Sequence, residues 1–135
     1  MQLDFAFICD YAETPGKINA LGIGFDTIYA PKMPCRHPYF FLVFQARANI
    51  LETGEKKLEL DLIDEDGAAT IKPISINLTL PKPTAGSEAV SKLAVQFQNV
   101  EFPHYGIYSV HALLDGNELV SIPLRISPTP TGAAH

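Results

Sequence analysis

Positive charge is scarce in this sequence. Its 135 residues hold ten Lys and Arg, thinly spread, against fifteen Asp and Glu, for a formal net charge of −5 and a pI of about 5.2. With no basic stripe to neutralise phosphates or anionic lipid, neither nucleic acid nor a membrane surface is an expected partner. Long apolar runs are missing too. The run from Phe5 to Cys9 spans five residues, whereas a membrane helix needs ~20. The opening "MQLDFAFICDYAE" places an aspartate at position 4 and no basic segment ahead of that run. It reads as neither a secretory signal nor a span, and a cytoplasmic location is expected.

Other absences narrow the chemistry. The two cysteines, Cys9 and Cys35, lie in no C-x-x-C spacing. They are expected to be reduced and buried rather than bridged, with no metal or redox role. No phosphate-binding loop is present: "GIGF" (22–25) lacks the further glycine and the helix such a loop requires, and reads as a bulge or a close backbone approach. Helical patterning is confined to one candidate turn at Ser87 to Lys92.

What fills the chain is alternation. Leu58, Leu60 and Leu62 alternate with Lys57, Glu59 and Asp61, and Ile74, Ile76, Leu78 and Leu80 alternate with Ser75, Asn77 and Thr79. The same period of two runs through Leu93, Val95 and Phe97, and through Val120, Ile122, Leu124 and Ile126; Leu3, Phe5, Phe7, Cys9 and Tyr11 share one face. Turn chemistry at "ETPGK", "PKMPCRHP", "ETGEK", "DEDG", "PKPTAGS", "FPHYG" and "DGN" separates these runs. The spacing predicts eight strands, near 2–11, 17–29, 38–49, 55–63, 69–80, 90–99, 106–114 and 118–126. They form an all-β, antiparallel sandwich of immunoglobulin or C2 type, one domain over 1–127, followed by a loose Pro/Thr-rich tail at 128–135. Slipping one strand by one residue would expose three or four core side chains at ~1.5–3 kcal/mol each, a total comparable with the ~5–15 kcal/mol stability of a whole domain. Register is set by these faces.

The stretch "YSVHALLDGNELVSIPL" (108–124) gathers a histidine, an aspartate and a serine. Keeping Ala112 opposite an even-numbered residue requires an odd loop, such as Asp115–Gly116–Asn117, which makes His111 and Ser121 cross-strand neighbours. Asp115 then lies four residues from His111, roughly 13 Å at ~3.3 Å per residue, too far to orient the imidazole. The stretch is a hairpin, with no expected catalytic residue.

Metal chemistry is weakly signalled. "LIDEDGAAT" (62–70) matches a calcium loop at Asp64, Asp66 and Gly67, but Leu62 and Pro73 occupy ligand positions. Asp26, Asp64 and Asp66 are the candidates for a looser cluster of loop carboxylates, and calorimetric affinity for calcium would decide it. His37, His104, His111 and His135 fall in no metal-ligand spacing. No cofactor is expected.

"YFFLVFQARA" (39–48) is apolar on both faces. A two-layer sandwich wets its outer faces, so this strand needs cover from its own connections at 30–38 and 81–89, or from another subunit. Phe41, Val43, Ile107 and Leu113 are the interface candidates.

Several stretches carry a resemblance: "FAFICDYA" (5–12), "GKINALGIGFD" (16–26), "ETG" (52–54), "DEDG" (64–67), and "GIY…LDG…IPL" between 106 and 124. Over nearly its whole length the chain resembles an uncharacterised family of short bacterial proteins, a domain of unknown function. The resemblance implies a small antiparallel sandwich and no activity. It highlights Asp10, Tyr11, Lys17, Asn19, Asp26 and Glu55 without assigning them roles. The expected function is a non-catalytic cytoplasmic binding or assembly module, contacting another protein or a second copy. The alternative is a calcium- or carbohydrate-binding sandwich using loop carboxylates. An enzyme is not expected, since no nucleophile–base pair survives the spacing.

Overall fold

A computed structural model describes residues 1–14, 16–80, 82 and 88–130. Among these there are ten strands: β1 (Gln2–Cys9), β2 (Tyr11–Glu13), β3 (Asn19–Leu21), β4 (Thr27–Ala30), β5 (Cys35–Ala48), β6 (Gly54–Ile63), β7 (Ile74–Leu80), β8 (Ala89–Phe102), β9 (Gly106–Leu114) and β10 (Asn117–Pro128). A 3₁₀ turn at Ile50–Glu52 precedes β6, capped by Asn49, whose side chain accepts from the Leu51 N–H. The fold is an all-β sandwich. One sheet has the order β1-β5-β8 and the other β4-β10-β9-β6-β7, antiparallel except where β4 runs parallel to β10; β2 and β3 form a separate hairpin.

The alternating faces meet as read. Leu58, Leu60 and Leu62 of β6 and Tyr108, Val110 and Ala112 of β9 are buried against Phe40, Leu42 and Phe44 of β5 and Phe97 of β8, in one core with Leu124 and Ile126. Phe40 and Phe97 stack at 4.8 Å. This closes both sheets on one apolar interior.

Ten strands replace the expected eight because two runs break. The run 2–11 stops at Asp10, and the run 17–29 is interrupted between Leu21 and Thr27, where Gly22 and Gly24 take positive φ. The expected strand at 69–80 begins only at Ile74, Ala69 making an isolated bridge to Ile63. The candidate helical turn at 87–92 is strand from Ala89 onward, and residue 87 lies outside the described residues. At the far end, Pro128 closes β10 and the Thr129 N–H donates to Ala30; residues 131–135 of the expected tail lie outside the described residues.

In β1 a bulge at Asp4 separates Leu3, opposite Ala46, from Phe5, opposite Gln45. The extra residue turns Leu3, Ala6 and Ile8 toward the main core and leaves Phe5, Phe7 and Cys9 on the outer face, so Leu3 does not share their side. The bulged Asp4 is held by Gln45 Nε2 at 2.7 Å and Arg47 Nε at 2.8 Å, in that order the chief reasons its carboxyl sits below the usual range.

Where the chain crosses from β8 to β9, the buried Tyr108 hydroxyl donates to the His104 carbonyl at 2.7 Å and accepts from the His104 N–H at 3.3 Å. This tyrosine corner pins the crossing from one sheet to the other. The His104 ring stacks on the Tyr108 ring at 5.4 Å.

Candidate functional site

A groove that combines a carboxylate, an imidazole and apolar side chains lies where β1 ends. Asp10 interrupts the strand and its N–H donates to Leu21 O at 3.0 Å, while the Gly24 N–H donates to Ile8 O at 2.9 Å. These bonds lay the 22–26 loop beside the end of β1. Gly22 takes φ +69°, and a Cβ there would collide with the Asp10 carboxylate, so only glycine admits that side chain. The resulting groove has a volume of about 450 Å³ and is bordered by Asp10, Phe25, Ile28, Tyr29 and His37, with Thr27 and Thr129 at its sides. Phe25 and His37 both lean on Phe40, at 6.5 and 6.2 Å. Burial lowers the His37 pKa from its ordinary value, opposed by the Asp10 charge and a bond to the Tyr39 backbone. His37 reads in sequence as a loop histidine beside a proline, yet it lies within β5.

The four interface candidates separate. Phe41 and Val43 are buried with Cys9 and Ala12 in a second small core, packed by Phe7, Ile18, Ala20 and Ala94. Their cover is the β2–β3 hairpin, tied down further by Lys92 Nζ donating to Gly16 O at 2.7 Å. The hairpin supplies what was expected from the 30–38 and 81–89 connections or another subunit. Ile107 and Leu113 point from the other sheet. Ile107 remains 42% exposed, and Leu113 is half-buried between Glu59 and Glu118. Apolar side chains that stay exposed beside the hairpin include Phe5 (39%), Tyr11 (42%), Leu21 (69%) and Tyr39 (45%). Tyr11 and Tyr39 each meet Phe41 edge-on, at 5.4 and 6.2 Å.

Two of the three candidate calcium acids spend oxygens on local bonds. Asp64 Oδ1 accepts from the Asp66 and Ala68 N–H groups, both at 2.9 Å, and its Oδ2 faces His104 Nε2 at 3.3 Å. Asp26 accepts from the Thr27 hydroxyl at 3.0 Å, and Asp66 is an exposed turn residue. Among the described residues no three His, Cys, Asp or Glu side chains converge as metal ligands. Both cysteines are unbridged, with thiol pKa values raised above the ordinary one, chiefly by burial.

In the 106–128 hairpin His111 and Ser121 are direct neighbours, and Ala112 faces Val120. The device that sets this register differs from expectation. Asp115 and Gly116, both at positive φ, form a two-residue turn, and the odd residue is absorbed as a bulge at Leu119. The bulge brings Glu118 within reach of His111. Its Oε1 lies 2.5 Å from Nδ1, and the Ser109 hydroxyl lies 2.8 Å from Nε2. Asp61, opposite His111 on β6, has a buried Oδ1 with no hydrogen-bond partner among the described residues. Ser109, two residues before His111 on the same face, was legible from alternation; Glu118 was not, since it depends on the bulge. Serine, histidine and glutamate stand in the order of a nucleophilic triad. However, β9 runs between β10 and β6, so its backbone N–H groups serve the sheet rather than an oxyanion.

The fold defines the chain as an all-β sandwich domain, and sequence comparison gives its family. The model of DUF6941, a family of unknown function, matches residues 4–127, and the chain belongs to that family. No curated protein matches the sequence. Among solved structures, the Pseudomonas fluorescens alkylpurine DNA glycosylase AlkC, bound to DNA containing an abasic site analog, is similar at a TM-score of 0.42 and 14% identity. That similarity covers 74% of this chain and 27% of the glycosylase chain. Among the described residues no helix is long and apolar enough to cross a membrane.

Proposed function

We propose that this protein is a non-catalytic cytoplasmic assembly module, an immunoglobulin-like sandwich that associates with a second copy of itself. The domain type is supported by strand order: β1, β5 and β8 oppose β6, β9 and β10, and a tyrosine corner leads into β9. The assembly reading is carried by the apolar rim. After β2–β3 has buried Phe41 and Val43, the residues Phe5, Tyr11, Leu21 and Tyr39 still present a belt around that hairpin. Tyr11 pairs with Leu21 across the hairpin, and ring contacts join Tyr11, Phe41 and Tyr39. Exposed tyrosines and an aliphatic side chain around a packed centre suit a protein contact. Light scattering tests this: the expected mass is twice the monomer's, and Leu21→Ser or Tyr39→Ser returns it to the monomer. A strictly monomeric wild type removes self-association.

A further inference from the structure

We propose that the groove at the end of β1 binds an organic ammonium or guanidinium group carried on an apolar stem, with the Asp10 carboxylate as its counter-ion. The first observation is the state of that carboxylate. Asp10 is exposed, and like Glu55, Glu59 and Asp66 it is in no side-chain hydrogen bond or salt bridge among the described residues, whereas Asp4, Asp64, Glu65 and Asp115 each bond to a side chain or a backbone N–H. It is held in place by packing against Gly22 rather than by a partner.

The second observation is what surrounds it. The groove's volume of about 450 Å³ falls within the ~300–1,000 Å³ typical of small-ligand sites. Ile28 and Phe25, both packed against the core, give it an apolar side. Phe25 and Tyr29 bring aromatic rings whose faces favour a cation. The described residues bordering the groove include no lysine or arginine, and the half-buried His37 imidazole is biased toward its neutral form, so among them no fixed positive charge opposes entry.

Charge and desolvation select among ligands. An anion would meet Asp10 with like charge. A neutral apolar molecule would strip water from the carboxylate and leave it unpaired, at high cost. A calcium ion needs six to eight oxygens, which one carboxylate and two threonine hydroxyls do not supply. An alkylammonium answers each feature: the head group pairs with Asp10 and the stem lies on Ile28 and Phe25.

The head group has two sources, a free amine or the side chain of a partner protein's lysine, and amide-resolved NMR titration of the full chain separates them. The probes are cadaverine, Nα-acetyl-lysine amide and, as a neutral control, 1-pentanol. Saturable shifts confined to amides near 8–10, 25–29 and 37 are expected with an amine at up to about 10 mM, the weak range of a small ligand, and not with pentanol. Tighter binding of cadaverine assigns a free amine, and tighter binding of the acetyl-lysine amide assigns a protein side chain. Asp10→Asn is expected to weaken binding at least about tenfold, as loss of a charge-assisted contact does. Tyr29→Ala, at a residue 52% exposed, provides a second variant, its fold checked by the amide spectrum, with weakening of several-fold expected. The proposal is overturned by no saturable shift with either amine, by equal response to pentanol, or by undiminished binding in both variants.

Discussion

Tyr108 and His104 show how much one side chain can hold. The Tyr108 hydroxyl serves both backbone groups of His104 and is buried, so Tyr108→Phe leaves an N–H and a carbonyl short of a partner. A loss of about 1–3 kcal/mol is expected, read as a lower urea midpoint at unchanged m-value. The His104 ring adds a pH dependence. The Tyr105 carbonyl at 2.9 Å, then the Asp64 carboxylate, raise its pKa above 6.5. A raised folded pKa means the contribution is complete below 6.5 and is lost as pH climbs through the folded value. Asp64 has the opposite sign: the Ala68 N–H, aided by His104 and the Asp66 N–H, lowers its pKa from 3.8. That contribution is present above 3.8 and is lost as pH falls through the folded value. The corner is therefore strongest between these limits. His104→Gln is expected to flatten the decline of the melting temperature between about pH 6 and 8, the range in which histidine titrates. A slope identical to wild type would refute it.

At the scale of elements, the β9–β10 hairpin shows how a strand pair keeps its register when the turn is one residue shorter than its faces demand. A two-residue turn alone would set Ala112 against Leu119 and reverse the inward face of β10. The bulge at Leu119 restores the pairing of Ala112 with Val120. The turn itself depends on positive φ at Asp115 and Gly116. Asp115 is steadied by the Lys57 N–H, which donates to its Oδ1 at 2.9 Å. Gly116→Ala is expected to cost about 1 kcal/mol, because a Cβ at φ +85° strains the backbone. Cross-strand contacts between His111 and Ser121 should survive in the NMR spectrum, since the inward side chains and not the turn hold the register. A slipped pairing in that variant would reverse the argument.

For the molecule as a whole, the division of labour between its two outer faces matters most. The outer side of the five-stranded sheet mixes Ser109, His111, Ser121 and Arg125 with the apolar Ile107 and Leu113. The outer side of the three-stranded sheet is apolar around Phe41 and Val43, and the chain folds a hairpin of its own over that patch. Cover by a small hairpin leaves a rim. If the rim joins two copies, the melting temperature rises with protein concentration, as mass action requires of an associating fold. In Leu21→Ser that dependence should vanish while the dilute-limit melting temperature stays near that of wild type, because Leu21 is 69% exposed. A concentration-independent wild type would remove self-association without touching the fold.

Local periodicity sufficed for the all-β class, the inward sets of β6, β7, β9 and β10, and the pairing of His111 with Ser121. Alternation is a property of neighbours along the chain, and the core accepts only one phase of it. It also showed that Phe41 and Val43 need cover. Which segment covers them was a tertiary matter, since the β2–β3 hairpin is laid over β5 by the pairing of β1, which leads into it, with β5. The groove belongs to the same category: Asp10, Tyr29 and His37 stand far apart in sequence and share no spacing. They are brought together because β4 pairs with β10 while β1 pairs with β5. Side chains that meet across two sheets leave no periodic trace in either strand.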